Sequence, residues 1–218
     1  MCGILGKISL DGNLQINKLQ FLNSLSLLDH RGPDDEGYFV NKNIAFGHKR
    51  LSIIDLSKSG VQPMFSSDKS SVICYNGEIY NYKELKNDLK QKGYKFNNKT
   101  DTEVLLNGLI YEGPKFIEKC NGMFAFAFHN KREKISYIFR DRIGIKPLFY
   151  SINNKEVIFS SNINPLVSLD KTNQKIDKES VSSYFSFRQT IRNKTFFKNI
   201  FSLEPGHFIE IKNNKVKI

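Results

Sequence analysis

The short apolar runs of this chain come in pairs joined by tight polar turns, and that pairing limits the folds open to it. Gly37–Val40 and Ile44–His48 flank Asn41-Lys42-Asn43, and Met123–His129 and Ile135–Arg140 flank Asn130-Lys131-Arg132. Phe208–Ile211 and Val216–Ile218 flank Asn213-Asn214. Such pairs read as β-hairpins. Gly3–Leu10, Ser71–Tyr75 and Val157–Ser160 read as single strands, the second running into Asn76-Gly77. Helical spacing of apolar residues predicts helices over Ile16–Leu28, Tyr82–Gln91, Thr102–Tyr111 and Val181–Phe187. Gly93 closes the second, and Thr100 or Asp101 caps the third. Hairpins make neighbouring strands antiparallel, and the helices fall between strand pairs rather than after every strand. The expected class is therefore α+β, an antiparallel sandwich rather than a doubly wound parallel sheet. A boundary falls near Ser168–Thr172, dividing residues 1–168, which read as a core, from 169–218, which read as an extension.

Composition excludes several functions. The 218 residues are 39% hydrophobic with 14 Gly and 6 Pro, an ordinary globular balance. The net charge of +11 raises nucleic acid as a partner. However, no run of five like charges occurs, and 26 of the 33 basic residues are Lys spread along the chain. That reads as a solvated basic surface, with no nucleic-acid partner expected. Cys2, Cys74 and Cys120 are too few and too scattered for a disulfide framework or a zinc site, so no metal is expected. The longest apolar run, Met123–Phe128, is far short of the ~20 residues a membrane helix needs. The N-terminus has neither a basic segment nor a long apolar one, so no signal peptide is read there. A cytoplasmic protein without a membrane partner is the expectation.

Four features could carry chemistry. Removal of Met1 would make Cys2 the first residue. A free α-amine titrates at about 7.7–8.0, so one residue would supply both a thiol nucleophile and a base. Asn76-Gly77 could form an oxyanion hole from a side-chain amide and a backbone N–H. Arg50 could grip a carboxylate through paired hydrogen bonds, and Asp101 could hold an ammonium. Taken singly, each has a plainer reading: a chance Cys beside the start, an Asn-Gly turn, a surface Arg and a helix cap. His48 reads as structural. Taken together, a thiol, an oxyanion hole and a grip on a zwitterionic head describe a site for glutamine.

The residues also resemble a known family. The stretches are Met1-Cys-Gly-Ile-Leu-Gly, His30-Arg-Gly-Pro-Asp, Gly47-His-Lys-Arg-Leu-Ser-Ile-Ile-Asp-Leu, Gln62-Pro-Met and Tyr75-Asn-Gly-Glu-Ile-Tyr-Asn-Tyr. They continue through Thr100-Asp-Thr-Glu, Asn121-Gly-Met-Phe-Ala-Phe-Ala, Arg140-Asp-Arg-Ile-Gly-Ile-Lys-Pro-Leu, Phe159-Ser-Ser, Thr195-Phe-Phe-Lys-Asn-Ile and Glu204-Pro-Gly-His. In that order they resemble the glutaminase domain of class II glutamine amidotransferases, of the N-terminal nucleophile hydrolase superfamily. Arg50-Leu-Ser-Ile-Ile-Asp and the lack of Trp resemble the asparagine synthetase branch more than the sugar-phosphate branch. The resemblance implies a four-layer αββα sandwich of two antiparallel sheets and hydrolysis of glutamine through a thioester on Cys2. It implies an oxyanion hole at Asn76 and Gly77, carboxylate binding by Arg50, and ammonium binding by Asp101 with Glu78. Backbone groups at Leu51–Ile53 would complete the pocket, Arg31 would order the loop beside the nucleophile, and Arg140–Pro147 reads as packing.

Synthetases of that branch also carry a domain that uses ATP and Mg to activate an acceptor carboxylate. This chain has no Gly-Gly pair and no Gly-x-x-x-x-Gly-Lys loop. No cofactor is therefore expected in it. ATP, Mg and the acceptor are expected on a synthetase domain or subunit that receives the ammonia, with this chain a fragment or a separate subunit. The alternatives are hydrolysis of another γ-glutamyl amide, and a non-catalytic domain that binds glutamine or a partner.

Overall fold

The computed structural model describes residues 1–52 and 60–218. One sheet contains β1 (Gly3–Ser9), β2 (Asp35–Val40), β3 (Ile44–Arg50), β8 (Phe149–Ile152), β9 (Glu156–Ser160) and β10 (Phe201–Ser202), in the order β10-β8-β9-β1-β3-β2. The second contains β4 (Met64–Phe65), β5 (Ser71–Ile79), β6 (Gly122–Asn130), β7 (Ile135–Arg140), β11 (Phe208–Lys212) and β12 (Lys215–Lys217), in the order β12-β11-β7-β6-β5-β4. Every pairing is antiparallel. Among the described residues five α-helices accompany them: α1 (Lys18–Ser26), α2 (Tyr82–Gln91), α3 (Asp101–Glu112), α4 (Ile163–Leu169) and α5 (Lys178–Phe187).

Side-chain alternation along the strands stacks these elements in four layers. In β6 the sequence reads Phe124-Ala-Phe-Ala-Phe128, and successive residues face opposite sides. The three Phe rings pack with Leu85 and Leu89 of α2 and Val104, Leu105 and Leu109 of α3. Ala125 and Ala127 face the other way, against Ile4, Ile8 and Phe46 of the first sheet. On that sheet's outer face Leu5, Ala45 and Ile158 pack under Phe21 and Leu25 of α1 and Leu166 of α4. Helices, sheet, sheet and helices give the αββα sandwich. Between the sheets the fit is close: a Cβ on Gly6 would lie 2.2 Å from the Phe159 ring.

Two points of the sequence reading needed revision, and one alternative was resolved. β5 does not end at Tyr75 but runs through Asn76-Gly77 to Ile79, paired with β6 along its length. The ladder overrides the turn preference of Asn-Gly. The short strands β4, β8 and β10 and the helix α4 were absent from the sequence reading. Strands of two to four residues show no usable period, and α4 carries Pro165 in its first turn, where a helix tolerates it. Thr100, rather than Asp101, caps α3 by accepting the Glu103 N–H at 3.3 Å. Segment 169–218 places β10 beside β8 and β11 beside β7, and Ile200, Leu203 and Ile209 are fully enclosed. Among the described residues, no helix is long and apolar enough to cross a membrane.

Two imidazoles are buried in the sandwich. His48 donates from Nε2 to the Tyr75 carbonyl at 3.1 Å, and His129 Nδ1 meets Ser136 Oγ at 2.8 Å. Burial lowers both to about 4. An unfolded His titrates near 6.5, so the unfolded chain takes up protons first as the pH falls. The stability held by each neutral ring is therefore complete above about pH 6.5 and lost progressively toward pH 4, on the order of 2–3 kcal/mol per ring. Urea unfolding at pH 4–7 should show this decline, and His129→Gln should flatten part of it. An unchanged slope in that variant would contradict the assignment.

Candidate active site

A small cavity of about 90 Å³ opens where β1 begins, lined by Cys2, Arg50, Asn76, Gly77, Glu78 and Asp101 among others. The pairing Gly3↔Lys49 sets the residue before β1 against the end of β3. The Leu51 N–H donates to the Cys2 sulfur at 3.3 Å, and the thiol faces the Leu51 carbonyl at 3.5 Å. Arg31 Nε donates to the Cys2 carbonyl at 3.1 Å, fixing the backbone beside the thiol. Burial pushes the Cys2 thiol up from its ordinary value, while the Leu51 N–H, the amino terminus, Arg50 and Lys146 pull against it. Met1 is half exposed and also lines the cavity.

The facing wall is the edge of β5. Its partner β4 pairs with Val72 and Ile73, and among the described residues no strand covers that side beyond them. Antiparallel residues alternate between facing one neighbour and the other. Phe124, opposite Gly77, receives the Asp141 N–H on its carbonyl and donates its own N–H to Asp141 Oδ2. It is thus turned away from β5, and Tyr75, Gly77 and Ile79 present their backbone groups to the open edge. Gln62 takes the Tyr75 N–H at 2.6 Å, and Gln62 Nε2 and His48 donate to the Tyr75 carbonyl. Asp101 Oδ2 takes the Ile79 N–H at 2.9 Å and the Tyr75 hydroxyl at 2.7 Å. Between these satisfied positions lies the N–H of Gly77. Next to it the Asn76 side-chain amide is buried, and its Nδ2 has no hydrogen-bond partner among the described residues. Gly77 itself cannot carry a side chain, because a Cβ would meet the Met123 carbonyl oxygen at 2.4 Å.

The remaining expected residues distribute as follows. Arg50 is buried at the end of β3, and Gly60 lies so close that a Cβ there would be 2.4 Å from its Nη2. Asp101 opens α3, where a helix N-terminus favours a carboxylate, although burial raises its pKa. Glu78 is half buried on the wall. Leu51 contributes its backbone to the sulfur. Ile53 lies outside the described residues. Gln62 and Lys146, which also line the cavity, were missed as functional residues. Gln62-Pro-Met stood among the resembling stretches without a role, and Lys146 lay in a stretch read as packing. Among the described residues, no group of three His, Cys, Asp or Glu side chains could hold a metal.

Within this αββα sandwich, a thiol just before the first strand thus lines one cavity with the Gly77 backbone and with an Asn76 Nδ2 that has no partner among the described residues. The chain belongs to the glutamine amidotransferase domain family, whose model matches residues 1–218. It is 41% identical over 85% of its length to asparagine synthetase (glutamine-hydrolyzing) 1 of Bacillus subtilis (strain 168), covering 29% of that protein. It is 37% identical over 97% of its length to asparagine synthetase (glutamine-hydrolyzing) 2 of the same organism, again covering 29%. Glutamine phosphoribosylpyrophosphate amidotransferase from B. subtilis shares the fold, with a TM-score of 0.68 at 18% identity over 99% of this chain and 48% of that one. The chain thus spans about a third of the length of the curated relatives it matches.

Gln62→Leu tests the edge directly. It would leave the buried Tyr75 N–H unpaired, at a cost of about 1–3 kcal/mol. Urea unfolding should show that loss, and amide exchange at Gly77 should quicken. A variant as stable and as protected as the wild type would remove Gln62 from the site.

Proposed function

We propose that this domain hydrolyses glutamine to glutamate and ammonia through a γ-glutamyl thioester on Cys2. The observation that carries the reading is the pair of donors, Asn76 Nδ2 and the Gly77 N–H, lining one cavity with the thiol. With Met1 removed, the Cys2 amine takes the thiol proton and the sulfur attacks the side-chain amide carbon. The oxyanion forms against Asn76 and Gly77. The amine then gives its proton to the departing nitrogen, ammonia leaves, and a thioester remains. Water, deprotonated by the same amine, attacks that thioester, and collapse returns the thiol and releases glutamate. Arg50 holds the α-carboxylate and Asp101, with Glu78 nearby, the α-ammonium.

The names of the relatives, and the third of their length that this chain covers, support a destination for the ammonia. It passes to an acceptor carboxylate activated with ATP and Mg on a synthetase segment outside these 218 residues. The Cys2 cavity itself, about 90 Å³, is well below the ~300–1,000 Å³ of pockets for larger ligands, and no step of the chemistry above runs through ATP.

Steady-state glutamine hydrolysis by the chain freed of Met1 tests the reading. Cys2→Ala should abolish turnover. Asn76→Ala should cost about 10²–10³ in kcat, the usual loss for one oxyanion donor. Arg50→Lys should act mainly on KM, since it weakens a bidentate grip made in both ground and transition states. Full activity in Cys2→Ala would overturn the reading, and preference for another γ-glutamyl amide in a substrate panel would redirect it.

A further inference from the structure

The stretch Arg140–Pro147 is far more tightly held than packing requires. Asp141 is almost wholly buried, and its carboxylate takes five backbone N–H groups. Oδ1 accepts from Ile143, Gly144 and Ile145, at 3.2, 2.7 and 3.0 Å. Oδ2 accepts from Lys146 and Phe124, at 3.0 and 3.3 Å. The Arg140 guanidinium serves the carbonyls: it donates to those of Lys146, Gly144 and Leu203 and to Ser202 Oγ. Lys146 is therefore clamped on both sides of its backbone, its N–H by a buried carboxylate and its carbonyl by a guanidinium.

The side chain so mounted enters the cavity of Cys2. Lys146 is 5% exposed, and among the described residues no carboxylate lies within ion-pair distance of its ammonium. A buried cation without a close partner is costly and calls for an anion that the resting protein does not supply in full. Burial lowers the Lys146 pKa, and of the groups whose negative charge would offset this the Cys2 sulfur leads, ahead of Glu78 and Asp141.

We propose that Lys146 is the counter-charge of the Cys2 sulfur, an ammonium held in the glutamine cavity that stabilises negative charge as the thiol is deprotonated. The inference rests on the glutaminase reading for its purpose, though not for its test. Among the described residues the charged and titratable groups around the sulfur are Arg31, Arg50, Cys74, Tyr75, Glu78, Asp101, Lys146 and the amino terminus. Arg50 is engaged by the substrate carboxylate once glutamine binds, and the amine must be neutral to act as base. Burial pulls the Lys146 ammonium below its ordinary value, and a negative sulfur opposes that pull, so the two charges support one another. Lys146 acts on the sulfur through space and is a positioning charge rather than a proton donor.

The experiment is the rate of Cys2 alkylation by iodoacetamide from pH 6 to pH 10. It uses the full chain freed of Met1, with Cys2→Ser to subtract Cys74 and Cys120. Lys146→Met should move the midpoint upward, slow alkylation at pH 7 by about tenfold, and converge with the wild type at high pH. Lys146→Arg should restore the wild-type profile. Because Asp141 and Arg140 hold the loop backbone, the fold does not depend on the ammonium. Should the Met variant fail to fold, Lys146→Gln reads the same shift. Coincident profiles for the wild type and the neutral variant would overturn the proposal, as would a slowing that is equal at every pH. The readout needs no glutamine. A shifted midpoint in a protein that cannot hydrolyse glutamine would remove the glutaminase reading and leave this one standing.

Discussion

The site depends on one unpaired strand edge. Where β4 stops after two residues, β5 continues for six more, and among the described residues no strand pairs with the side turned away from β6. Exposed edges of this kind are usually blunted or covered. Here Gln62 and His48 complete the backbone at Tyr75, and Asp101 completes it at Ile79. What these partners leave over is the Gly77 N–H, with the Asn76 amide beside it. The proposed oxyanion hole is in this sense the remainder of an otherwise satisfied edge, flanked by hydrogen bonds on either side.

The two sheets bring the Cys2 thiol into one cavity with that edge. Ala125 and Ala127 keep the inner face of β6 small, while the Phe residues between them turn to the helices. The sheets close on one another, and the start of β1 lies level with the middle of β5. The Leu51 N–H and the Arg31 guanidinium then fix Cys2 from the β3 side. Local packing, the alternation of small and large side chains, and the hydrogen bonding of a single loop thus converge on one sulfur. Asp101 links the layers further, since one carboxylate oxygen closes the strand edge and caps the Tyr75 hydroxyl at the floor of the pocket.

Much of this was legible in the residues. Hairpin spacing predicted antiparallel sheets because two-residue periodicity and turn chemistry are local properties. Cys2, Arg50, Asn76, Gly77 and Asp101 were legible as a set because their chemistry is complementary, and the structure brings all five to one cavity. Asn76-Gly77 was placed at a strand end because the dipeptide prefers turns, and only long-range pairing with β6 holds it extended. Gln62 was opaque because its role is to imitate a missing strand, which no local pattern records. Lys146 was opaque because a lysine in a charged loop looks like a solvated one until the carboxylate and guanidinium that clamp it are seen. α4 was too short and too close to a proline to show a period.

Whether Cys2 is the nucleophile of a glutamine site is read most directly from the intact mass, with peptide mapping, of the chain freed of Met1 after exposure to a diazoketone analogue of glutamine. A nucleophilic Cys2 gives one covalent adduct, on that residue, prevented by excess glutamine. No adduct on a correctly trimmed chain, or an adduct elsewhere that glutamine does not prevent, would contradict that role.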